Sequence, residues 1–200
     1  IIVASASGTL TVGTERAIDY CVKRKIPAML FINGLDKDNS DFIKTVNAIK
    51  LKYGHKIAPM IVPNMVDGKM KGFVKVAYGV LRDWERNEYP IPDYLKEAYM
   101  EARLTVSEAA AENDEALMEK FFEGEEFTMA EIVRGLSTGV AAGDVIPVYG
   151  CSGYNMEAVD LVLDAMVYDV PSAETAAGEI AKDADGNEVE LKCDENGDLA

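Results

Sequence analysis

Two hydrophobic periods alternate along the first sixty residues. IIVAS (1–5) and AMLFI (28–32) are short apolar runs with no polar interruption, the pattern of strands buried on both faces. Between them TERAIDYCVKRK places Ile18, Cys21 and Val22 on one helical face, with Thr14 as the expected cap and Pro27 as the stop. Further on, SDFIKTVNAIKLKYG carries Phe42, Ile43, Val46, Ile49 and Leu51 at helical spacing and ends at Gly54. A β-α-β-α series of this kind predicts an α/β fold, a parallel sheet joined by right-handed crossovers. A first strand of the doubly buried type is expected to lie inside its sheet, with a neighbour on each side. On that ground the chain reads as a piece of a longer protein.

The rhythm then changes. IAPMIVPNMVDGKMKGFVKVAYGVLRDW has short β-type segments, a Val-Asp-Gly turn at 66–68 and repeated glycines, which predicts antiparallel hairpins. Residues 91–143 follow as three helical segments broken near Asn113 and Gly124. Asp114 and Thr128 are the expected N-caps, the second with Glu131 placed for a capping box. After Gly143 the first rhythm returns: DVIPVYG as a strand, CSGYN as a short polar loop, and MEAVDLVLDAMVYDV as an amphipathic helix ending before Pro171. The predicted organisation is therefore an α/β domain made of 1–58 and 144–171, an α+β subdomain inserted at 59–143, and a linker at 172–200. That linker leads into a β-hairpin with an Asp-Gly turn at 185–186.

Composition narrows the function classes. An apolar fraction of 48% supplies a packed core, and a net charge of −15 disfavours sequence-independent wrapping of nucleic acid. The apolar runs are too short to cross a bilayer, so no membrane partner is expected. Cys21, Cys151 and Cys193 are scattered, without CxxC spacing, and signal neither a disulfide frame nor a zinc site. Free thiols fit a reducing, cytoplasmic compartment. His55, the one histidine, lies in the polar turn YGHK and reads as a surface residue. The acidic run from Glu108 to Glu131 reads first as a solvated face and second as a docking surface for another protein. Met118, Met156 and Met166 read as core, and Trp84, Tyr89, Tyr94 and Tyr99 as packing groups more than base-stacking ones.

The chemistry concentrates in two loops. FINGLDKDNSDF (31–42) follows a strand and holds Asn33 and Asp36 in Asn-x-x-Asp spacing. A carboxylate there can accept from both N1–H and the N2 amino group of guanine, a pair adenine cannot offer. Asn33 would brace the loop. The common form of this signature has Lys in the second place, where this chain has Gly34. The plain alternative is an Asx-type turn with Gly34 at positive φ and Asp36 as a local cap. CSGYN, with Ser152 and Gly153, would close on guanine O6 through a backbone N–H. Ligands bind at the carboxyl ends of strands in open α/β sheets, which is where both loops fall. No GxxxxGK[ST] occurs; SGTLTVGT and STGVAAGD lack the Lys, so nothing in the chain cradles phosphates or holds Mg²⁺.

Taken in order, these segments resemble elongation factor G, the translational GTPase family that drives ribosomal translocation. VASASGTLTVGTERAIDYCVKRKIPAMLFINGLDKDNSDF is similar to its fourth strand, helix and guanine-reading loop. IPDYLKEAYMEARLTVSEAAAENDEALMEKFFEGEEFTMAEIVRGLSTG resembles the subdomain inserted in its G domain, and IPVYGCSGYNMEAVDLVLDAMVYDVPS the segment with the second base loop and last helix. DADGNEVELKCDENGDLA is similar to the beginning of its β-barrel second domain. The resemblance implies a partial P-loop GTPase-type sheet and guanine contacts at Asn33, Asp36, Ser152 and Gly153. For the longer protein it implies GTP and Mg²⁺ as cofactors, and the ribosome and its stalk protein as partners, the latter through the insertion. A monomer is expected. Two departures stand out: CSGY where the family commonly has GSA followed by an aromatic or Leu, and Gly34, which removes aliphatic cover from one face of the base. Weaker guanine affinity than the family norm is therefore expected.

Two rival readings differ in class: a ribosome- or stalk-docking paralogue with weakened nucleotide binding, and a stand-alone α/β ligand module. The sequence upstream in the gene separates them, since an intact phosphate loop, a degenerate one and a natural start near Ile1 each favour a different reading. Without a phosphate loop, the purified chain is expected to release no phosphate from GTP; turnover above the buffer blank would contradict this.

Overall fold

The computed structural model describes residues 1–172 and 179–191. Compact packing divides the chain after Val170. In the larger unit, β1 (Ile2–Ser5), α1 (Val12–Arg24), β2 (Leu30–Asn33), α2 (Phe42–Tyr53) and β3 (Ile57–Pro59) follow one another. Then come β4 (Ile61–Val66), β5 (Lys69–Lys75), β6 (Val80–Arg82) and β7 (Glu88–Tyr89). The helices α3 (Asp93–Ala111), α4 (Glu115–Phe122) and α5 (Met129–Ala141), the strand β8 (Ile146–Cys151) and α6 (Val159–Tyr168) complete it. The fold is mixed α/β: a four-stranded parallel sheet of order β1-β2-β8-β3 and a four-stranded antiparallel sheet of order β4-β5-β6-β7.

Strand β8 explains the parallel sheet. All six of its residues are buried, as expected of a strand paired on both edges and covered on both faces. It takes its place between β2 and β3 although the whole run 61–141 separates it from them in sequence. The first core lies on this sheet, with Leu30, Ile32 and Val148 enclosed by Ile18 of α1 and by Phe42, Val46 and Ile49 of α2. The helix ends follow capping chemistry. Asp41 accepts from the Lys44 amide at 2.9 Å, and Lys25 closes α1 in the left-handed conformation.

A second core lies between the antiparallel sheet and the helices α3 to α5. Val62, Val74 and Val76 of the antiparallel sheet pack with Ala102, Val106, Ala109, Leu136 and Val140 of the helices. Arg103 organises its edge by donating to the carbonyls of Val76, Ala77 and Phe127 at 2.9, 2.8 and 2.6 Å. The two sheets meet at Met60, whose N–H donates to Val148 O at 2.9 Å while its carbonyl accepts from the Val76 amide at 3.0 Å. The buried Arg82 of β6 forms an ion pair with Asp160 at the start of α6. Asp114 and Thr128 cap α4 and α5, and the Thr128–Glu131 capping box is complete. Within the second unit, β9 (Glu179–Lys182) and β10 (Glu188–Leu191) pair as an antiparallel hairpin whose turn is held by the Asp183 carboxylate. Cys193 and the 173–178 portion of the linker lie outside the described residues; Cys21 and Cys151 are free thiols.

Several sequence expectations are corrected. β1 pairs with β2 alone, so among the described residues it is an edge strand. The cap of α1 is Thr11, whose hydroxyl accepts from the Thr14 amide; Thr14 sits inside the first turn. Ile57–Pro59 forms a parallel strand on β8 before the hairpins begin. Leu51 is 91% exposed because the inner face of α2 runs through 42, 46, 49 and 53. Met156 and Met166 are exposed, the former in the turn before α6, whereas Met118 packs on the second core. Trp84 packs on Phe73, and the hydroxyls of Tyr89 and Tyr94 donate to Asp83 and Asn64. His55 is exposed and lies 3.2 Å from the Glu112 carboxylate.

Tyr149 of β8 donates to the Asp169 carboxylate at the end of α6. Burial pushes the Asp169 carboxyl above its ordinary range, opposed in part by the Tyr149 hydrogen bond. Burial likewise holds the Tyr149 phenol well above its ordinary range. A carboxyl with a raised folded pKa favours folding below its unfolded pKa, and that contribution is lost as pH rises through the folded value. Asp169→Asn keeps an acceptor for Tyr149 without a charge to desolvate. It is expected to raise the denaturation midpoint at about pH 7 and leave it little changed at about pH 3. Equal shifts at the two pH values would contradict the assignment.

Candidate functional site

The site is built from the carboxyl ends of β2 and β8. Their parallel register sets Asn33 opposite Cys151. Directly beyond, the amides of Gly34 and Leu35 both donate to the Cys151 carbonyl, at 3.1 and 3.3 Å. Gly34 has φ +90°, a conformation suited to a residue without Cβ, and a turn closes behind it where the Lys37 amide meets the Gly34 carbonyl at 3.2 Å. The Ser40 hydroxyl then donates to the Leu35 carbonyl at 3.1 Å, and Asp41 begins α2. Leu35, 2% exposed, is drawn inward over Gly150 of β8. A Cβ at Gly150 would stand 2.8 Å from Leu35 Cδ1 and 2.9 Å from Phe42 Cδ2. The missing side chain there is what lets the loop seat itself on the sheet.

The second loop starts at Ser152, which is completely buried. Its backbone makes a two-bond antiparallel bridge with Glu157 at 3.0 Å each way, so 153–156 form a short arch. Two contacts lock this arch to the first loop. The Ser152 hydroxyl donates to Asp36 Oδ1 at 2.6 Å, and the Gly153 amide donates to Asn33 Oδ1 at 2.9 Å. The Ser152 oxygen also accepts from the Asn155 amide at 3.1 Å. Beneath lies the Cys151 thiol, 3.8 Å from Asn33 Oδ1. Burial, and secondarily the Asp36 charge, push that thiol's pKa upward.

All four residues singled out from the sequence are thus brought together. Asp36 is not a local cap, since its partner comes from the other loop, while the positive φ of the plain-turn alternative is present at Gly34. Among the described residues, Asp36 Oδ2 carries no hydrogen bond, and its carboxylate is half-buried at the mouth of the site. One role changes. The Gly153 N–H is committed to Asn33, and Tyr154, 89% exposed on the arch, holds the next N–H, which has no partner among the described residues. Neither the importance of Gly150 nor that of Tyr154 is visible in local sequence signals. Among the described residues no group of three or more His, Cys, Asp or Glu side chains converges as metal ligands do.

The fold and site define an α/β protein with paired loops at the carboxyl ends of two adjacent parallel strands, the usual placement of a ligand site. No family model matches the sequence. The crystal structure of ttk003000868 from Thermus thermophilus is similar, with a TM-score of 0.73 and 30% identity over 85% of this chain. The chain spans 26% of that protein's solved chain, about a quarter of its length.

Gly150→Ala tests how the loop is seated. Overpacking against Leu35 and Phe42 is expected to lower stability by about 1–2 kcal/mol in denaturant titrations, because both neighbours are buried and close-packed. An unchanged midpoint would show that Leu35 yields freely.

Proposed function

We propose that this chain is the guanine-recognising part of an elongation factor G-like translational GTPase. The observation that carries the reading is the double lock between the loops, Ser152 to Asp36 and Gly153 to Asn33. It holds one carboxylate rigidly at a strand end, with an oxygen still open to a ligand. In this reading Asp36 accepts from N1–H and the N2 amino group of guanine, and Asn33 ties the second loop in place. The Tyr154 N–H is the donor left for O6. Rigid placement matters because an analogue that cannot fill a held carboxylate leaves a charge unpaired, which costs about 1.5–3 kcal/mol for each lost charged hydrogen bond.

The order of segments resembling elongation factor G supports the same assignment. The phosphates and Mg²⁺ of GTP would be held by residues outside these 200, because the chain has no GxxxxGK[ST]. GTP hydrolysis, movement on the ribosome and contact of the 59–143 insertion with the ribosomal stalk belong to the longer protein in this reading, and its setting is the cytoplasm. Among the described residues no helix is long and apolar enough to cross a membrane.

Asp36→Asn supplies the test. An amide in place of the carboxylate cannot accept twice, but it can donate to the O2 of xanthine and accept from N1–H. Ligand titrations followed by NMR shifts of the two loops are expected to show guanosine binding to the wild type. In Asp36→Asn that binding should weaken on the order of tenfold or more, with xanthosine gaining. Wild-type loops that ignore guanosine at millimolar concentration would sink the reading.

A further inference from the structure

Gly34 leaves a gap in a base-reading loop, and the structure fills it from elsewhere. The position where a Cβ of residue 34 would stand lies 3.4 Å from Cδ, 3.5 Å from Cε and 3.9 Å from Cγ of Lys37. Those are ordinary van der Waals distances, so the Lys37 stem lies directly beside the point where a side chain at 34 would begin. Its backbone is fixed on both sides. The Lys37 amide donates to the Gly34 carbonyl at 3.2 Å, and its own carbonyl accepts from the Ser40 amide at 3.1 Å. The Lys37 ammonium makes no ion pair or hydrogen bond among the described residues, so no competing partner draws the chain away. Asp36, the base-edge reader of the proposed function, is its immediate neighbour in sequence.

We propose that Lys37 is a positioning residue for the ligand, its methylene stem forming the wall against which the guanine ring lies. This rests on the reading of Asp36 as the guanine reader. A ring gripped by its edge keeps both faces in water unless something covers them. Methylenes laid across one face exclude that water while their charged end remains solvated. Lys37 thereby does, from the far side of the turn, what a long side chain at position 34 would do. Gly34 then follows from backbone geometry as well, since at φ +90° a side-chain-bearing residue would be strained.

The test uses the whole chain and guanosine, which has no phosphate for an ammonium to attract. Lys37→Met keeps an unbranched apolar stem without charge, and Lys37→Ser removes the stem. Titration is expected to give wild-type affinity for Lys37→Met and about fivefold weaker binding for Lys37→Ser, with the melting temperature of both unchanged because the residue is exposed. Lys37→Ser binding as tightly as wild type would overturn the role of Lys37 and leave the Asp36 reading standing. Equal losses in Lys37→Met and Lys37→Ser would overturn it too, by showing that charge and not the stem is what matters. Absence of guanosine binding by the wild type would remove both.

Discussion

Everything in the larger unit hangs on β8 lying between β2 and β3. A strand buried along its whole length must satisfy its amides and carbonyls on both edges, and β2 and β3 are the edges offered. Once the register Asn33–Cys151 is set, the two chain segments leave the sheet side by side in the same direction. The hydrogen bonds between the loops follow almost by necessity, because each loop finds the other's polar groups within reach. A one-residue slip would send Ile32 or Cys151 to the wrong face and break the pairing of Ser152 with Asp36.

The same strand also fixes the insertion. Residues 57–66 run from β3 into β4 with only Met60 between, so one stretch of backbone serves both sheets. Met60 bonds to Val148 on one side and Val76 on the other, and Arg82 reaches Asp160 at the opposite edge. The Arg82–Asp160 pair is held where both groups lose water. Burial works against the Asp160 carboxylate, but the hydrogen bond from Arg82 and its charge outweigh that and keep it below its ordinary range. Residues 59–143 therefore contribute most of the second core, place Ile61, Met70 and Phe73 in the first, and belong to the same compact unit as the parallel sheet.

Much of the fold was legible because local chemistry repeats with the period of the element. The runs IIVAS, AMLFI and DVIPVYG, the helical spacing in 42–49, and the cap residues Asp114 and Thr128 all identify their elements without help from distant residues. The misreadings of Leu51 and Met156 share one physical cause, that burial is decided by neighbours. Leu51 has helical spacing of a sort, but among the described residues no element covers that flank of α2. Met156 falls in the arch that Ser152 and Glu157 close, so it never enters the helix. Thr11 wins the cap of α1 from Thr14 because only its backbone is extended at the helix start.

Taken alone, the order of residues specifies the kinds of elements, the two polar loops and the four residues worth watching. Those are local matters, set by side-chain periodicity, turn chemistry and the donors and acceptors each residue owns. How the four residues are arranged was settled by packing. Strand order brought Ser152 to Asp36 across a separation of 116 residues, close packing over Gly150 seated the first loop, and the bond to Asn33 removed the Gly153 N–H from use. The folded turn also laid the stem of Lys37 across Gly34. None of these is written in any short stretch, because each depends on which surfaces are forced together when the buried strand finds its two edges.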